Sequence, residues 1–164
     1  MKLVIAGTPG TGKTTLSKLI SAKLKCQLIS ISEIIKKQKF YGEYDDKMNS
    51  TIYDYDKVSK FVQKLSSPNI VFDFHSVDIF DPLKEKIDFV FVLRTDNEIL
   101  YKRLEKRGYK QDKISENIEA EIMQVVLDEA TNIFGANKII ELSSNDENEI
   151  DVNLSIVLKK INFC

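Results

Sequence analysis

Near the start of the chain stands Gly7-Thr8-Pro9-Gly10-Thr11-Gly12-Lys13-Thr14-Thr15, the pattern G-x-x-x-x-G-K-[ST]. Its chemistry is anion binding. Side chains at the glycine positions would obstruct backbone N–H groups that must point inward around a phosphate. The start of a following helix adds unpaired N–H groups and partial positive charge. Lys13 is a point charge for β and γ phosphates, and the Thr14 hydroxyl is a hard oxygen donor for Mg²⁺. Gly10, Gly12, Lys13, Thr14 and Thr15 are therefore the candidate nucleotide-binding residues.

A polyphosphate site also needs a carboxylate at the end of a second buried strand, to hold the metal directly or through water. Ile70-Val71-Phe72-Asp73 supplies it, with Thr14 and Asp73 as the expected metal pair and Asp78 as a competing acid. A buried carboxylate needs a partner or a function to offset its desolvation, which favours Asp73. His75, the single histidine, follows closely. It can orient or deprotonate a water, or it can be a neutral imidazole in the pocket wall. A phosphate acceptor is already ionised whereas water is not, so His75 is expected to matter more for hydrolysis than for transfer.

Of the 24 basic residues only Arg94, Arg103 and Arg107 are arginine, and they fall close together. Arg presents a planar fork for phosphate and a flat face for a base. Arg103 and Arg107 lie one helical turn apart, and all three are expected at the carboxyl end of the sheet, where open α/β folds bind ligands. Surface ion pairing is the alternative for Arg103, with Glu98 and Glu105 nearby.

The elements that must position these groups follow from periodicity. Continuous apolar runs read as strands over 2–6, 27–31, 70–73, 89–93 and 138–142. Helical spacing appears over 14–25 and over 96–107 with Gly108 as stop, then from Ser115 as one long helix to Gly135, and over 150–161. Ser32 is the expected cap of a short helix, and Asp54 or Asp56 that of the next, with Val58, Phe61, Val62 and Leu65 as its apolar stripe. Residues 40–53 lack periodicity and read as a mobile loop, and 109–114 and 143–149 as polar connections. Strands alternating with helices argue for a parallel sheet covered on both faces, in one domain over 1–164.

Composition sets outer bounds. At 164 residues, 43% hydrophobic and 30% charged, the chain suits one globular core. A net charge of −1 gives no field for nucleic acid, no run suits a bilayer span, and the N-terminus does not read as a secretory signal. Cys26 and Cys164 are too far apart for a zinc knuckle or disulfide framework, so a reducing, intracellular setting is expected.

Beyond the phosphate loop, further segments resemble the adenylate kinase isoenzyme 6 family, within the P-loop nucleoside monophosphate kinases. These are Tyr41-Gly42-Glu43-Tyr44-Asp45, Asp73-Phe74-His75 with Asp78, Val92-Leu93-Arg94-Thr95-Asp96, the stretch Tyr101 to Tyr109, and Glu116-Asn117-Ile118 through Glu121-Ile122, Gln124-Val125 and Glu129-Ala130-Thr131. The resemblance spans about residues 1–134. It implies an α/β P-loop NTPase fold with a five-stranded parallel core, a monophosphate-binding region at about 30–53 and a short lid at about 106–116.

The activity it implies is MgATP + AMP ⇌ 2 ADP, with ATPase activity alongside. The resemblance implies ATP contacts from Gly10, Gly12, Lys13, Thr14, Thr15 and Arg107. Taken with the residues above, Lys13, Asp73, His75 and Arg107 are the expected catalytic residues, Arg103 a further expected ATP contact, and Lys36 and Arg94 the expected acceptor contacts. Lys36 stands where the family pattern has Arg, keeping charge without the bidentate grip. The family is also linked to small ribosomal subunit maturation, through a small-subunit ribosomal protein, in nucleus and cytoplasm. A monomer with no direct nucleic-acid motif is expected.

The alternative is an ATP-driven assembly factor whose nucleotide state gates partner binding, its acidic 43–56 loop (with Met48 and Ile52) meeting a basic partner. A GTPase is disfavoured: Asn137-Lys138 is followed by Ile139-Ile140 rather than the expected Asp. A shikimate-type kinase would share the phosphate loop but leave 103–109 unexplained.

Overall fold

Alternation of side chains builds the core from the centre outward. A computed structural model describes residues 1–45 and 50–162; Met48, Cys164 and part of the acidic 43–56 segment lie outside them. β1 (Lys2–Ala6) is central, paired in parallel with β5 (Ile70–Asp73) on one side and β6 (Phe89–Arg94) on the other. β2 (Gln27–Ser30) and β7 (Ile139–Ser143) close the edges, giving five parallel strands in the order β2-β5-β1-β6-β7.

Because successive strand residues face opposite ways, each strand feeds two cores. Val4, Phe72, Val90 and Val92 point to one, with α2 (Ile31–Gln38), α3 (Tyr55–Gln63) and α6 (Val125–Phe134) over it. Leu3, Ile5, Val71, Phe91 and Leu93 point to the other, covered by α1 (Lys13–Leu24) and α7 (Glu147–Asn162). Strands buried on both faces must be apolar throughout, which is why they were legible as continuous runs. Full burial of Phe72, Phe74, Phe80 and Phe91 contributes about 1.5–3 kcal/mol each. A third cluster, Leu100, Leu104 and Ile114, joins α4 (Asn97–Lys106) to α5 (Gln111–Ile122).

Three expectations are corrected, and one interval without an expectation is filled. Residues 40–53 contain an antiparallel hairpin, β3 (Tyr41–Asp45) with β4 (Ser50–Tyr53), rather than a loop alone. Its strands are polar and aromatic, so no apolar alternation announced them. The long helix from Ser115 to Gly135 is two helices: α5 starts earlier, at Gln111, and Gln124 in the left-handed region at φ 56° separates it from α6. A 3-10 segment, Asp78–Lys86, fills the interval before β6. α2 begins at Ile31 with Ser30 as its cap, so Ser32 lies inside it. Asp54 does cap α3, accepting from the Lys57 N–H at 3.0 Å.

Candidate functional site

The carboxyl ends of β1, β2 and β5 open into a cleft of about 740 Å³, within the usual range for small-ligand sites. The phosphate loop forms its floor. Gly7 and Gly10 have φ of +143° and +101°, and a Cβ would lie 2.6 Å from the Leu93 carbonyl oxygen and 2.7 Å from Leu100 Cδ1 respectively. Only glycine satisfies both the torsion and the space. α1 then starts at Lys13 with no side-chain cap and no acidic residue in its first turn, so its N–H groups and dipole are available to an anion.

Register brings Asp73 beside Ile5 of β1 and Ser30 of β2. The Thr14 hydroxyl donates to Asp73 Oδ2 at 2.6 Å, placing two hard oxygens together at the loop. That donor set fits Mg²⁺. Lys13 Nζ donates to the Thr8 carbonyl at 3.0 Å. Burial pushes its ammonium down to about 8; the Arg107 charge helps, and the Asp73 and Glu121 carboxylates oppose. His75 packs on Phe74 with ring centroids 4.3 Å apart and stands edge-on to Tyr53 at 6.3 Å. Burial first, then the Lys13 charge, pushes its imidazole down to about 4. At neutral pH the ring is uncharged, suited to orienting a water more than to collecting its proton.

Gly10, Gly12, Lys13, Thr14, Thr15, Lys36, Asp73, His75 and Arg107 all line this cleft. Lys36 approaches from α2 and Arg107 from the end of α4, so cations face the phosphate loop from two further elements. Lys113 of α5 adds another; its ammonium lies 4.7 Å from the Tyr109 ring centroid.

The other two arginines are placed differently. Arg103 donates to the Ser144 carbonyl at 2.7 Å and the Asn145 carbonyl at 2.9 Å, fastening the segment after β7 beside the phosphate loop. It pairs with neither Glu98 nor Glu105. Arg94, expected at the acceptor, turns away from the cleft. Its Nε donates to Glu121 Oε1 at 2.7 Å and its Nη2 to the Glu121 carbonyl at 2.9 Å, capping the C-terminal end of α5.

Glu121 and Glu129 stood in segments that carry the family resemblance, but the sequence reading gave neither a role. Glu121 is 3% exposed and Ile122 56% exposed, the reverse of what residue polarity alone would assign. The spacing Ile114, Ile118, Glu121 was the available signal, masked because one helix was assumed to run on past Gln124. Glu129 accepts from the Val77 N–H at 3.0 Å and the Ser76 hydroxyl at 3.3 Å, and burial pushes its carboxyl up.

Comparison with known proteins agrees with this architecture. A family model described as an AAA domain matches residues 3–124. The chain is 40% identical to the adenylate kinase isoenzyme 6 homolog of Schizosaccharomyces pombe, over 93% of this chain and 87% of that protein. It is 40% identical to the Dictyostelium discoideum homolog of the same name, over 92% of this chain and 87% of that one. A shikimate kinase from Bacteroides thetaiotaomicron shares the fold at TM-score 0.67 and 15% identity, covering 99% of this chain and 98% of its own. A gluconokinase from Sinorhizobium meliloti superposes at TM-score 0.60 and 15% identity, covering 99% and 95%.

Proposed function

The chain belongs to the adenylate kinase isoenzyme 6 family, and we propose that it transfers the γ-phosphoryl group of MgATP to AMP, giving two ADP. The observation that carries this reading is one cleft with a phosphate loop on its floor and Lys36 facing it from α2. In this reading Lys36 supplies a second phosphate subsite in the same space.

In the step, an AMP phosphate oxygen forms a bond to Pγ as the bond to the β,γ-bridging oxygen breaks, and the first ADP leaves with those electrons. No proton need be removed from the acceptor. Lys13 and the α1 N–H groups hold the β and γ phosphates, and Arg107 sits over the developing charge. Lys36 anchors the acceptor phosphate. Thr14 and Asp73 would hold Mg²⁺, which when bound neutralises phosphate charge. The segment around 106–116 acts as a lid, and 30–53 as the monophosphate-binding region.

ATP hydrolysis is a second activity of the same cleft, favoured by the neutral His75 beside Asp73. The role in small ribosomal subunit maturation, the ribosomal-protein partner and placement in nucleus and cytoplasm are proposed on family resemblance alone.

The test is ADP formation from MgATP with AMP, CMP, UMP or shikimate as acceptor, with hydrolysis measured beside it. AMP-dependent ADP formation that is abolished in Lys13→Ala, with a raised KM for AMP in Lys36→Ala, supports the reading. Hydrolysis that ignores every acceptor refutes it in favour of the assembly factor.

A further inference from the structure

Glu121 is the most deeply buried acidic side chain among the described residues, and the transfer step above does not use it. Its carboxylate joins three parts of the molecule. Oε1 accepts from Arg94 Nε at 2.7 Å and from the Thr95 N–H at 3.0 Å, both at the end of β6. Oε2 accepts from the Thr8 hydroxyl, inside the phosphate loop. The main chain of Glu121 belongs to α5, the helix whose earlier turns put Lys113, Glu116 and Asn117 on the roof of the cleft.

Burying a carboxylate costs several kcal/mol unless nearly every lone pair is matched. Arg94 and Thr95 already neutralise and anchor this one. The bond to Thr8 is the one that Oε2 accepts, while the ion pair itself is made at Oε1, and it acts on a residue with a second duty. The Thr8 carbonyl accepts from Lys13 Nζ at 3.0 Å, from the Thr11 hydroxyl at 2.9 Å and from the Thr11 N–H at 3.2 Å. Holding the Thr8 side chain restrains the residue whose carbonyl these groups share. The carbonyl sets where the lysine ammonium waits.

We propose that Glu121 is a positioning residue for phosphoryl transfer: through the Thr8 hydroxyl it holds the phosphate-loop carbonyl that aims Lys13, and so ties the lid helix to the phosphate-binding lysine. The inference rests on the kinase reading. Its expected signature is a fall in turnover without a matching fall in nucleotide affinity, because the loop N–H groups that grip ATP are untouched.

Thr8→Val keeps the shape and leaves the Arg94–Glu121 pair in place, so it folds even if substitutions at Glu121 do not. Thr8→Val and Glu121→Gln are each expected to lower kcat about tenfold, with the calorimetric Kd for MgATP within threefold of wild type. The double variant should be no slower than the slower single one, since both break one linkage. Thr8→Ser, which restores the hydroxyl, should recover kcat to within threefold. Wild-type kcat in Thr8→Val measured well below its Tm overturns the proposal, as does multiplication of the two single effects in the double variant. If wild type forms no ADP from AMP, the acceptor assignment fails, and the same cycle read on MgATP hydrolysis decides the linkage by the same criteria.

Discussion

Replacing Arg94 with methionine separates a binding role from a structural one. The sequence places Arg94 among candidate acceptor contacts, whereas its guanidinium is spent on Glu121 through the 2.7 Å bond to the carboxylate and the 2.9 Å bond to the carbonyl. The 3.5 Å approach to Glu141, whose side chain is 53% exposed, adds roughly nothing. Removing one partner of a buried ion pair costs about 3–5 kcal/mol, because the remaining charge stays buried. The Arg94 side chain is 19% exposed, and Thr8 and Thr95 still bond Glu121, so the lower end applies. For a chain of this size each kcal/mol moves Tm by about 2–4 °C, so a loss of about 3 kcal/mol lowers Tm by roughly 6–12 °C. Differential scanning calorimetry reads this, and steady-state kinetics below the transition should show a KM for AMP within twofold of wild type. An unchanged Tm with KM for AMP raised tenfold would return Arg94 to the acceptor site and refute the structural argument.

Two further predictions concern the loop and the histidine. Gly10→Ala combines a φ of +101° with a Cβ 2.7 Å from the fully buried Leu100. Left-handed strain of about 1–2 kcal/mol and overpacking of about 1–3 kcal/mol should lower Tm by roughly 5–15 °C and weaken MgATP binding; calorimetry and titration showing neither would contradict the loop geometry. His75 has its folded-state pKa pushed down to about 4 from an ordinary 6.5. Between those values the unfolded chain binds more protons, so its contribution to stability is complete above about 6.5 and is lost as pH falls toward 4. In nucleotide-free, metal-free protein, urea midpoints across that window should fall less steeply in His75→Asn than in wild type. Parallel pH profiles for the two proteins would show that the ring is not buried in its neutral form.

The local pattern was enough to read the phosphate loop and the acid ending β5, because each depends on a residue type at a fixed place on a strand or helix, whereas the lysine of α2 was read from the family resemblance. The five parallel strands were legible for the same reason: burial on both faces requires uninterrupted apolar runs, and Val4, Ile5, Phe72 and Phe91 supply them. Polar structure was not. The β3–β4 hairpin is polar and aromatic, and the break at Gln124 needs only one residue in a left-handed conformation, which no glycine marks. That break decided the chemistry around it. It ends α5 so that Glu121 turns inward and Ile122 outward, and it gives Arg94 a carboxylate and a helix end to cap. Residue type and spacing identified which arginines were available, but every arginine can serve phosphate or carboxylate equally well. Only the three-dimensional neighbourhood, through who lies within hydrogen-bond reach, assigned Arg107 to the cleft, Arg103 to the segment after β7, and Arg94 to the buried glutamate.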